Sequence, residues 1–178
     1  MDEVSFVIRL LEDNWSNAST IAAGKVGIKT ESGADWSYTP TPIFIDIRSL
    51  QPGRGKRVDL EEKAVIIVFE DSASLTHPTI DRLVRNEDYT FTLHLRVLQR
   101  RDYTELTYSR NLLTSLYQMA RHILEKNGLR PKVYDSNDDI EASAELIEIT
   151  GRSEANDRGK RLLGYKMSVS MKRFGRTT

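Results

Sequence analysis

The chain has no cysteine, which removes disulfide frameworks and thiolate metal sites from consideration. It has no excess of either charge, with 26 Lys and Arg against 26 Asp and Glu and a formal net charge of zero. That balance argues against engagement of nucleic acid over most of the surface and leaves room only for local contacts. It also lacks a long apolar run. The longest, Ala64 to Phe69, falls far short of the ~20 residues needed to span a bilayer, so no membrane partner is expected. Met1-Asp-Glu-Val4 lacks the basic and apolar regions of a signal peptide, and the reading is of a soluble intracellular chain. Internal repeats and low-complexity tracts are absent too. The 178 residues suit one domain, 1–178, with a core that needs no metal or disulfide.

What is present is periodicity. From Tyr89 to Val97 every second residue is apolar, the period of a strand with one buried face, so Phe91, Leu93, Leu95 and Val97 point into a core. After the polar Gln99 to Asp102, Leu106, Leu113, Leu116, Tyr117, Ala120, Ile123 and Leu124 recur at three- and four-residue steps, the stripe of a helix packed on a sheet. Asp102 or Thr104 can cap its start, and Gly128 with Pro131 can end it.

Other elements group around this unit. Val4 to Asp13, preceded by Asp2 and Glu3, predicts a helix of about three turns reaching Trp15. Lys25 to Thr30 reads as a short strand, and Glu31 to Pro42 as a loop. Ile43, Ile45 and Ile47 alternate with Asp46 and Arg48 in a half-buried strand. A long charged hairpin loop from Gln51 to Lys63 leads to the strand Ala64 to Phe69. That strand is apolar on both faces, so it belongs inside the sheet, with a partner subunit as one source of cover for its second face. Asp71 to Asp88 reads as irregular, with a helical turn near Thr79 to Val84. Asp135 to Asp139 is a polar turn, and Ala142 to Ile149 a strand. Gly151 to Arg161 is a charged connection, and Leu163 to Met171 alternates as a closing strand before the basic Lys172 to Arg176. The expected fold is α+β, an antiparallel sheet with two helices packed on one face and long charged hairpin loops.

Chemistry is sparse. His77, His94 and His122 are scattered and lack metal-ligand spacing. Asp135, Asn137, Asp138 and Asp139 look like part of a calcium loop, but the glycine and bidentate Glu are not in place. Gln51 to Arg57 mixes Gly with Lys, yet a strand follows where a phosphate-binding loop would open a helix. No catalytic, cofactor or metal residues are assigned, and no enzyme activity is expected. The candidate contact residues are charged loop residues: Arg54, Lys56, Arg57 and Glu61 in one loop, and Arg158, Lys160 and Arg161 in the other.

Ile45-Asp-Ile-Arg48, the strand end Leu95-Arg-Val97, the helix segment Met119 to Leu124 with Asn127 and Arg130 after it, and the closing Asn156 to Val169 together resemble the tail-terminator, or tail-completion, proteins of tailed bacterial and archaeal viruses. The resemblance covers most of the chain from Pro42 onward and rests on element order and residue type. It implies a non-enzymatic virion protein, assembled in the host cytoplasm, whose copies form a homohexameric ring. That ring would cap the tail tube protein and join it to the neck or connector protein, with DNA passing through its lumen. Asp71 to Asp88 is longer than the family's usual connection, which keeps a related neck or head-completion protein as an alternative. A small nucleic-acid-binding module using Arg96, Arg100, Arg101, Lys172, Arg173 and Arg176 is the rival class, and an enzyme of unrecognised type comes third.

Overall fold

Asp2 stands just ahead of an apolar-striped segment, and its carboxylate accepts the backbone N–H of Ser5 at 2.9 Å, satisfying a donor that the first helical turn leaves free. Helix α1 follows, Glu3–Thr20, longer than the three turns expected because Ala18 continues the buried stripe of Val4, Phe6, Val7, Leu10, Leu11 and Trp15. The computed structural model describes residues 1–20, 27–49, 64–76, 84–98, 107–157 and 162–176. Within them lie β1 (Ile43–Asp46), a short 3₁₀ turn (Ile47–Ser49), β2 (Val65–Thr76), β3 (Val84–Leu98), α2 (Tyr108–Lys126), β4 (Lys132–Tyr134), β5 (Ile140–Ser143), β6 (Leu146–Glu154) and β7 (Leu162–Arg176).

The fold is α+β. One sheet has the strand order β1-β2-β3-β7-β6, and β4 and β5 form a separate small hairpin. Every pair in the large sheet is antiparallel except β1 with β2, which run parallel. That corrects the reading of Gln51 to Lys63 as a hairpin loop. Parallel neighbours cannot be joined by a hairpin and need a crossover, and apolar alternation reports a strand but not its direction. The connection itself lies outside the described residues.

The two helices share one face of the sheet. Phe91, Leu93, Leu95 and Val97 of β3 are all buried against them, as expected. So are Leu113, Leu116, Tyr117, Ala120, Ile123 and Leu124 of α2, while Leu106 and the proposed caps Asp102 and Thr104 lie outside the described residues. Thr107 takes the N-cap position, and at the other end the amide of Asn127 donates to Ile123 O. β2 is apolar on both faces, as read: Ile66 and Val68 join the helical core, and Val65 and Ile67 form a smaller cluster with Ile45 on the other side. Val65 and Ile67 are buried within a single chain, so a partner subunit is not needed to cover them.

Three further segments differ from expectation. In the expected Lys25 to Thr30 strand, residues 27–30 are described and show only a bridge between Lys29 and Asp35, with Gly33 at positive φ closing the turn. Ala142 to Ile149 is split, because β5 ends at Ser143 and β6 begins at Leu146. The charged Gly151 to Glu154 continues β6 rather than forming a loop, paired with β7 through Glu154↔Tyr165. Gly164 of β7 allows that close packing, since a Cβ there would lie 2.9 Å from Ala155 O.

Candidate interaction surface

The largest departure from the sequence reading concerns Asp71 to Asp88. β2 continues to Thr76 and β3 begins at Val84, in register through Ala73↔Tyr89 and Thr76↔Asn86. β7 extends alongside, through Tyr89↔Met171 to Val84↔Arg176. The three strands therefore continue together as an arm of roughly 20–25 Å, at ~3.3 Å per residue. Side chains from Glu70 to Thr76 are exposed throughout, as are Lys172 and Phe174. The segment is mostly polar and has no strongly apolar face, which hid it. A trace of its nature was present in Ser72-Ala-Ser-Leu-Thr76, which alternates polar and apolar residues.

A bulge between Glu70 and Ser72 marks where the arm leaves the body, as bulges often mark a change of strand direction. Asp71 is turned toward β3 there and accepts Thr92 Oγ1 at 2.6 Å. Ser72 Oγ and Thr90 Oγ1 lie 2.7 Å apart one step further on. On the helix side the arm is tied down by Arg173, which reaches Glu3 of α1 at 2.9 Å, donates through Nε to Ser143 O of β5 at 3.0 Å, and lies over the Phe6 ring. Beside it Tyr89 donates to Glu87 Oε2 at 3.0 Å. Burial first, then the neighbouring carboxylates, pushes the Tyr89 phenol up to about 12.

Between this part of the arm and the β4–β5 hairpin runs an open groove of about 540 Å³, polar at its floor and rimmed by exposed Ile140 and Phe174. Arg85, Glu87, Glu3 and Arg173 line it and are paired among themselves. Two edges of the arm are open among the described residues. β1 pairs with β2 only through Val68 and Ile47 of the following turn packs in the same small cluster as Phe69, so among the described residues Glu70 to Thr76 have no strand partner on that side. β6 pairs with β7 only as far as Lys172, so the end of β7 is open on the other.

None of the expected contact residues can be placed: Arg54, Lys56, Arg57, Glu61, Arg158, Lys160 and Arg161 all lie outside the described residues, as do Arg100, Arg101 and His77. The remaining basic residues do not form one patch. Arg96 stands opposite Gly164 and Lys172 opposite Asp88, so the two occupy opposite ends of β3, roughly 25 Å apart at ~3.3 Å per residue. Arg96 instead joins His94 and Lys166 on the sheet face away from the helices, with its guanidinium 3.1 Å from His94 Nδ1. Burial first, then Arg96 and Lys166, lowers His94 to about 4 against the opposing pull of Asp71. His94 is therefore neutral at pH 7 and packs against Phe69. His122 sits in α2 with Nε2 buried and unpartnered, beside a cavity of about 10 Å³ lined by Asn14 and Asn127, room for about one water.

The acidic segment closes on itself as a turn: Asp135 Oδ1 accepts the N–H groups of Asn137 and Asp139. Among the described residues no cluster of three or more His, Cys, Asp or Glu side chains is arranged to hold a metal, and no helix is long and apolar enough to cross a membrane. No family model matches the chain, and no curated protein matches it.

Proposed function

We propose that this chain is a structural, non-catalytic virion subunit whose copies form a ring at the end of a viral tail tube, contacting the tube protein on one side and the neck or connector protein on the other. The observation that supports it is the arm. Three strands continue past the helical cover as a paired ribbon with, among the described residues, no strand partner on either outer edge. Open edges are templates for pairing with another chain, and natural proteins blunt or use them. An exposed arm with strand edges unpaired among the described residues is what an assembly subunit would use. The family resemblance supplies the identity of the assembly and its virion setting.

The test is to mix purified protein with preformed tail tubes and image them by negative-stain electron microscopy. Ring-shaped density at one tube end supports the reading; tubes with bare ends at saturating protein reject it. The cluster of His94, Arg96 and Lys166 favours a second reading, a local nucleic-acid contact. Under that reading the isolated chain binds duplex DNA with affinity that falls steeply with salt, whereas the ring reading expects little such binding.

A further inference from the structure

The two open edges of the arm carry opposite charge. β2 enters the arm with Glu70 and Asp71 and has no basic residue from Phe69 to Thr76, while β7 leaves it with Lys172, Arg173 and Arg176 and no acid. Each edge also exposes one large apolar side chain, Leu75 at 55 % and Phe174 at 59 %. We propose that the occupant of these edges is a second copy of this chain: the β2 edge of one copy adds to the end of β7 in the next.

Complementary but unlike edges make a head-to-tail contact, the type that closes into a ring rather than stopping at a dimer. β2 and β7 are each antiparallel to β3 and therefore run the same way. About a ring axis lying along the arm, the strands across the seam then pair in parallel. The faces also agree. Asp71 shares the sheet face of Lys172, since it bonds Thr92, whose neighbour across β7 is Ser168. Glu70 and Leu75 share the face of Arg173, being opposite Phe91 and Glu87. The incoming strand runs beside the groove lined by exposed Ile140, which gives Leu75 apolar surface to cover, while Phe174, opposite Asn86, lies on the other face. The inference rests on the ring reading above, but names the surfaces that make the ring.

The test is charge reversal with exchange, on the full chain. One variant carries Glu70→Lys with Asp71→Lys, the other Lys172→Glu with Arg176→Glu, and native mass is followed across a concentration series. Each variant alone should lose association by more than about tenfold, since like charges then face each other across the seam. A 1:1 mixture should recover it, because each reversed edge meets its complement. Circular dichroism and thermal midpoints close to those of the parent show that the variants fold. Parent rings that ignore the reversals overturn the seam and leave the tube-end reading standing. A parent that forms only pairs, with no recovery on mixing, points to β2 against β2 and also overturns it. So does a parent that remains monomeric throughout, in which case the tube-end experiment alone judges the function.

Discussion

The body of the sheet and its arm are made from the same three strands, β2, β3 and β7, with unbroken pairing from one to the other apart from the bulge at Glu70 and Ser72. In the body the helix-facing residues are Ile66, Val68, Leu93, Leu95, Met167 and Val169, all buried. On that side of the arm Met171 and partly buried Tyr89 carry the core just into its base, and Ala73, Leu75, Glu87 and Arg173 lie outside the core. Backbone hydrogen bonding is thus common to both, and what differs is whether side chains have a second layer to pack on. The body buries the core; the arm leaves most of its side chains exposed.

That contrast breaks most visibly under truncation. Leu95→Ala in the body removes a fully buried side chain from beneath the helices, and should cost about 2–5 kcal/mol in denaturant unfolding. Arg173→Ala cuts the tie between arm, α1 and β5; because its ion pair with Glu3 is largely shielded, a loss of about 1–2 kcal/mol is expected. A similar loss with hydrogen exchange unchanged at Phe69 to Thr76 would mean that the arm is ordered without it. Asp2→Ala removes the α1 cap and the contact with Arg48 and should cost about 1 kcal/mol.

A pH titration separates the body's charges. Asp2 is held near 2: burial raises it, but the Ser5 N–H and Arg48 outweigh that. His94, depressed from 6.5 to about 4, binds its proton more readily in the unfolded chain. Stability should therefore be flat between 6.5 and 10, fall above 10 as the raised Tyr89 phenol ionises more readily in the unfolded chain, fall as pH drops from 6.5 toward 4, and fall again between 3.8 and 2 as Asp2 is protonated. The first step is modest because His94 is only partly buried, and it should vanish in His94→Gln; its persistence would assign it to another group. Smallest of all, Leu75→Ser should leave unfolding within about 0.5 kcal/mol while weakening self-association.

The body was legible in the sequence because burial imposes a period. Leu93, Leu95, Met167 and Val169 had to alternate, and Leu113, Leu116, Ala120 and Ile123 had to recur at helical steps, whatever their neighbours were. Strand direction was not legible, since Ile43, Ile45 and Ile47 would read the same in either sense. Nor was the arm, where no buried face selects residue type and Asp, Asn and Glu lower strand propensity; Asn86, Glu87 and Asp88 form strand because β7 and β2 flank them. The charged loops that drew attention in the sequence, around Arg54 and Arg158, lie outside the described residues. The candidate surface instead came from pairing limits at Val68 and Lys172 that no sequence pattern marks.

The most direct test of the division between body and arm is amide hydrogen exchange of the full chain at low and high protein concentration. The account predicts that concentration protects Phe69 to Thr76 and the end of β7 beyond Lys172, while Leu93 to Val97 remain equally protected at both. Unchanged exchange along both arm edges, or new protection confined to the helices, would contradict it.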